Sequence, residues 1–211
     1  MLILSVACAV AGSVAVNAAD PVYSVNAVGY VNVTCPHGFS IIANPLIAGT
    51  NKLSTLIPNP PIGTTVYEFD SKYKTSTFEV DDFGNLGWSN DLDLSPGTGA
   101  WIYNTSNDPF VITFVGEVAQ NTVTNQINAG FSLKSSIIPQ AGQLDGLLGY
   151  PVSKGDVVYL FRDGKYLYFV YEVDDFGNLN WSNVPTPNVG EGFWIWSSTA
   201  KVWSRTFDIN K

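Results

Sequence analysis

The 211-residue chain carries 18 acidic and 10 basic side chains, a net charge of −8, with one histidine and two cysteines. Such a balance offers no basic stripe to a nucleic-acid backbone, and a single histidine excludes zinc sites of familiar spacing. With 45% hydrophobic and 13% charged residues, among them 6 Trp, 10 Tyr and 12 Phe, the composition suits a packed core and argues against disorder.

Residues 1–19, MLILSVACAVAGSVAVNAA, are uncharged and almost all apolar or small. They read as a signal peptide cleaved after Ala18 or Ala19, which places the mature chain outside the cell. A retained membrane anchor is the alternative, weakened by Gly12, Ser13 and Asn17; no later stretch is long and apolar enough to span a bilayer. Cleavage removes Cys8 and leaves Cys35 without an intramolecular partner, so the core alone must hold the fold. Val22–Thr34 is a β-prone lead-in, expected to cover its own repeat rather than pair with another molecule.

An internal repeat organises the rest. Gly38-Phe39-Ser40 returns at Gly130-Phe131-Ser132, an offset of 92 (130 − 38), and Val66-Tyr67 with Phe69 returns at Val158-Tyr159 with Phe161. One residue is added near Asp163-Gly164, and the offset of 93 then pairs Tyr73 with Tyr166, Gly97 with Gly190, Gly99 with Gly192 and Trp101 with Trp194. Runs such as TTVYEF, KTSTFEV and FVITFVGEV are short, β-branched or aromatic, and bounded by Gly, Pro, Asn and Asp. The expected fold is all-β: two tandem units of about 90 residues, each a small barrel or sandwich, with the first repeat over 20–117 and the second over 118–211. Asn51–Leu56 and Gln143–Leu148 are the two places where a helical turn fits.

The lead-in Tyr23-Ser24-Val25-Asn26-Ala27-Val28-Gly29-Tyr30-Val31-Asn32, with Gly38–Leu46 (GFSIIANPL) and the later PGTGAWIYN stretch, resembles secreted, duplicated β-rich proteins of environmental bacteria. That resemblance implies secretion and a β fold but no activity, and it transfers no catalytic or binding residue.

The best-kept segment is EVDDFGNLGWSN at 79–90, repeated as EVDDFGNLNWSN at 172–183. A compact loop turning at Gly84-Asn85 and pinned by Phe83 and Trp88 accounts for each residue, with Asp81 and Asp82 accepting from turn amides. The competing reading is calcium, held by Asp81, Asp82, Asn85 and their copies Asp174, Asp175, Asn178. The spacing is not that of an EF-hand, and Val184 and Thr186 replace the further acids Asp91 and Asp93, so the structural loop is favoured.

Cys35 aligns with Ile127 and reads as an inert core thiol; His37, in a Pro-Gly turn, reads as solvated. Paired carboxylates need only Asp or Glu, yet no asymmetric pair stands out, and duplication predicts no single shared cleft. The chain is therefore expected to be non-enzymatic. Where the first repeat has Lys74-Thr75-Ser76, the second has Leu167-Tyr168-Phe169, a strand apolar on both faces that must be covered or sticky. Trp101 and Trp194, shared by the repeats, are expected in the core. The expected role is a structural or adhesive protein at the cell surface, assembling with itself as an oligomer or filament through strand edges or apolar faces. The alternative is a carbohydrate-binding module that stacks extracellular polysaccharide on Tyr168, Trp196 or Trp203.

Overall fold

A computed structural model describes residues 27–208; the proposed signal peptide, and Val22–Asn26 of the lead-in, lie outside the described residues. The first repeat runs β1 (Val28–Cys35), β2 (Gly38–Ala43), a single helical turn α1 (Leu53–Leu56), β3 (Thr65–Asp70), β4 (Lys72–Val80), β5 (Leu86–Trp88), β6 (Gly99–Asn104) and β7 (Phe110–Glu117). The second repeats the seven strands as β8 (Asn121–Ile127), β9 (Gly130–Lys134), β10 (Val157–Arg162), β11 (Lys165–Val173), β12 (Leu179–Trp181), β13 (Phe193–Ser197) and β14 (Lys201–Phe207). Gln143–Leu148 forms turns rather than a helix.

Each repeat is an open two-layer unit, not a closed barrel. In the first, a five-stranded antiparallel sheet of order β2-β6-β3-β4-β5 lies against the ribbon β1-β7; in the second, β9-β13-β10-β11-β12 lies against β8-β14. The described part of the lead-in covers its own repeat, β1 pairing with β7 from Val28 opposite Glu117 to Cys35 opposite Phe110. Alternation then sends Cys35, Ile112 and Phe114 of the ribbon inward against Ile42, Val66 and Ile102 of the sheet, while Val111 and Val115 face outward. The second core is the counterpart, with Ile127 and Trp203 opposed to Val158, Phe193 and Ile195. Burial pushes the Cys35 thiol up to about 12, so at neutral pH it is an inert apolar side chain. His37 is exposed at the β1–β2 turn, its Nδ1 2.9 Å from the Ser106 carbonyl.

The opposite faces of the two sheets pack on one another, and the repeated glycines and aromatics meet there. Phe69 lies 4.8 Å from Trp194, and its counterpart Phe161 lies 4.8 Å from Trp101, both edge-to-face. Backbone bonds obey the same pseudo-twofold relation: Ala43 N–H donates to Gly190 O at 2.9 Å, and Ser135 N–H to Gly97 O at 3.0 Å. The edge strands β2 and β9 are thereby each bridged to the other repeat, at Ile42–Glu191 and Thr98–Lys134. Such approach needs missing side chains. A Cβ on Gly192 would meet the Ile42 carbonyl oxygen at 2.8 Å and Ile41 Cγ2 at 2.7 Å, and one on Gly99 would meet the Lys134 oxygen at 2.9 Å. Trp101 and Trp194 thus belong to the inter-repeat interface rather than to either repeat's own core.

Gly192→Ala should therefore destabilise the protein by about 1–3 kcal/mol through overpacking at this backbone contact. Gly87→Asn, which installs the residue the second repeat has at Asn180, should stay within about 0.5 kcal/mol because nothing lies within 4 Å of the added Cβ. Urea unfolding of the two variants checks the contrast; equal midpoints would contradict it.

Candidate functional site

Where the packed sheet faces diverge, their side chains line an open aromatic cleft. One groove, of about 450 Å³, is formed by Phe69 and Tyr73 of the first repeat facing Phe131, Tyr159, Tyr166, Tyr168 and Trp194 of the second. The other, of about 580 Å³, is formed by Phe161 and Tyr166 of the second repeat facing Phe39, Tyr67, Tyr73, Thr75 and Trp101 of the first. The repeat offsets carry one lining onto the other position by position. The single chemical difference is Thr75 against Tyr168, and the groove bearing Tyr168 is the smaller. Tyr73 and Tyr166 line both grooves, so the two are continuous across the pseudo-twofold axis. A duplicated unit thus does build a shared cleft, contrary to the sequence expectation, because its two copies clasp face to face.

The strand alternation explains which rings arrive here. Phe39 on β2, Tyr67 and Phe69 on β3, Tyr73 on β4 and Trp101 on β6 all occupy the non-core face, as do their counterparts. On β11, Phe169 turns into the second core while Tyr168 turns into the cleft, which accounts for a strand apolar on both faces. The outer rings of the cleft are far from covered, Tyr73 being 52%, Tyr166 50% and Tyr168 68% exposed, whereas Trp194 at its floor is buried. Burial, with Tyr73 beside it, raises the Tyr166 phenol above its ordinary value.

Neighbouring rings here are tilted or edge-on rather than coplanar. Phe39 meets Tyr103 at 47° and Trp101 at 86°, and Tyr159 meets Tyr166 at 81°. Of the three residues assigned by sequence to a sugar platform, Tyr168 alone is in the cleft. Trp196 is half-buried on β13 opposite Phe131 and outside both linings. Trp203 is excluded: it is 1% exposed in the second core, and its indole N–H donates to the Leu148 carbonyl at 2.8 Å. Its place on the inward face of β14 was hidden because it has no aromatic counterpart in the first repeat.

The DDFGN segments are the tips of the β4–β5 and β11–β12 hairpins. Asp81 organises its loop by itself: Oδ1 accepts from the Phe83 and Asn85 amides at 2.9 and 2.7 Å, and Oδ2 from the Asn85 side chain at 3.1 Å. Asp174 repeats this with Phe176 and Asn178 at 2.9 and 2.8 Å, adding the Asn180 side chain at 3.1 Å. Among the described residues no three His, Cys, Asp or Glu side chains gather as a metal-ligand set. Asp82 and Asp175 are exposed beside the turn, and the six residues considered for calcium form a capped turn in each repeat. The anchoring, however, differs from expectation. Trp88 is an anchor, its Nε1 donating to the Ile57 carbonyl at 2.9 Å, but Phe83 and Phe176 are each 90% exposed at the loop apex.

A polar cluster that the sequence did not reveal lies within the second repeat. Buried Asp156 accepts from Lys201 Nζ at 2.6 Å, Tyr150 Oη at 2.9 Å and the Ser153 amide at 2.9 Å. Lys201 also donates to Ser153 Oγ at 3.0 Å. This polarity is the reverse of what an activated serine requires, since the hydroxyl must donate to its base. The cluster reads as a buried ion pair in which Asp156 Oδ2 takes all three hydrogen bonds and the buried Oδ1 takes none. Burial, followed by the adjacent Asp156 carboxylate, raises the Tyr150 phenol well above its ordinary range.

A scan against protein-family models, a search of curated proteins and a search of solved structures each find no match to this chain.

Hydrogen bonds from the Asn85 side chain and amide hold the Asp81 carboxyl below its ordinary value, and the Asn178 amide foremost does so for Asp174. A depressed carboxyl pKa means that the loop's order is fully present above the ordinary value and is lost as pH falls through the depressed one. The Asn85 and Asn178 amide resonances should therefore shift with midpoints below the ordinary 3.8. A midpoint at or above that value would contradict the capping geometry.

Proposed function

We propose that the protein is a secreted or cell-surface structural, adhesive protein without catalytic activity, and that it associates with further copies of itself through the aromatic cleft. The observation that carries this reading is the continuous cleft of half-exposed rings shared by both repeats. Contiguous exposed rings that nothing else in the molecule covers are the kind of surface at which proteins associate. The partner is argued from the chain's own interior. The same sheet face already binds its counterpart from the other repeat, phenyl against indole in edge-to-face contact, so the surface is complementary to its own kind.

Saccharide is the second reading, favoured by Tyr168 and by the several phenol hydroxyls of the cleft. The steep angles between neighbouring rings weigh against it, since a pyranose chain stacks on rings that present their flat faces in a row. Light scattering of residues 20–211 over a wide concentration range tests the choice. The wild type should grow beyond monomer mass, and the Tyr73→Ser, Tyr166→Ser double variant should not. A wild type that stays monomeric, yet is retained on insoluble polysaccharide through the same two tyrosines, would overturn self-association in favour of sugar binding.

A further inference from the structure

Phe83 and Phe176 are the most exposed large apolar side chains described, each 90% accessible. Neither contributes to a core, yet each lies within the best-kept segment of the repeat. Each is presented on a stiff support: Asp81 and Asp174 fix the loop from inside, and the Gly84 and Gly177 amides donate to the Asp81 and Asp174 carbonyls at 3.0 Å. Val80 and Leu86, with Val173 and Leu179, extend the apolar tip on either side, 41–54% exposed. A phenyl ring held rigidly into water in both repeats has no role inside the molecule.

On the self-association reading above, we propose that these two tips are the plugs for the two aromatic grooves of a second copy, which makes assembly a tip-to-groove contact. Valence and symmetry agree, because each molecule has two tips and two grooves related by one pseudo-twofold axis. The chemistry agrees as well. The groove walls are continuous with an interface in which Phe69 and Phe161 already rest edge-on against Trp194 and Trp101, so they are surfaces built to take a phenyl ring. A tip cannot fold back onto the tyrosine of its own hairpin. Seven residue steps of extended β4 lead from Tyr73 to Val80, about 23 Å at about 3.3 Å per step. The contact joins two different patches, so it either closes reciprocally as a dimer or propagates as a ring or an open chain.

Complementation between two double variants tests this. Phe83→Ser with Phe176→Ser removes the tips and keeps the grooves; Tyr73→Ser with Tyr166→Ser does the reverse. Sedimentation of each alone should show association weakened by about a hundredfold or more relative to wild type. An equal mixture should regain complexes containing both chains, because the tips of one meet the grooves of the other. If the tip variant assembles like wild type, the tip-to-groove contact is wrong and groove-to-groove association stands. Failure of the mixture to recover overturns it equally. A wild type that remains monomeric removes both this contact and the self-association on which it rests.

Discussion

The clasp between the two repeats is the contact on which the rest of the structure depends. Each repeat alone is a half-covered object, a sheet with a ribbon on one face and a row of aromatic rings on the other. Leaving that second face in water would be unfavourable for every ring on it. Packing the faces together buries Ile41, Leu133 and most of Trp194. It also converts two exposed edges, at β2 and β9, into bridged ones. The four glycines at 97, 99, 190 and 192 are the geometric condition for that approach, since atoms of the partner repeat occupy the space of their absent side chains, backbone at Gly99 and Gly192 and side chains at Gly97 and Gly190.

The clasp is incomplete, and the incompleteness creates the surface of interest. Twisted sheets that cross touch over a limited region and then part. Rings near the crossing are buried, and rings farther along β3, β4, β10 and β11 are left as walls of the cleft. Function and stability therefore draw on the same residues: Trp101 and Trp194 both hold the repeats together and line the grooves. The two grooves are near copies because duplication supplied both walls, and Thr75 against Tyr168 is where they have begun to differ.

Much of the architecture was legible because period-two alternation and turn residues act locally. The strands, the pairing of the lead-in's described part with β7 and the burial of Cys35 followed from such patterns. What resisted was anything that depends on one repeat meeting the other. The glycines and tryptophans were visible as shared positions, but identity between copies does not say whether a residue faces its own core or its neighbour's. Trp203, without an aromatic counterpart, looked free to present its ring; burial under the β8–β14 ribbon is a three-dimensional fact. Phe83 misleads for the opposite reason. A phenylalanine kept in duplicate beside a Gly-Asn turn resembles an anchor, and only the hairpin geometry shows the ring at the apex. The Asp156–Lys201 pair was also out of reach, because 45 residues separate its partners.

Hydrogen exchange on the wild-type protein, compared between dilute and concentrated solution, tests most directly the claim that tips and cleft are the associating surfaces. Protection should rise with concentration in residues 72–80 and 165–173, which bear the groove tyrosines, and in loops 81–85 and 174–178, while the outward face of the β1–β7 ribbon stays unchanged. Protection that rose on the ribbons, or nowhere, would contradict the account.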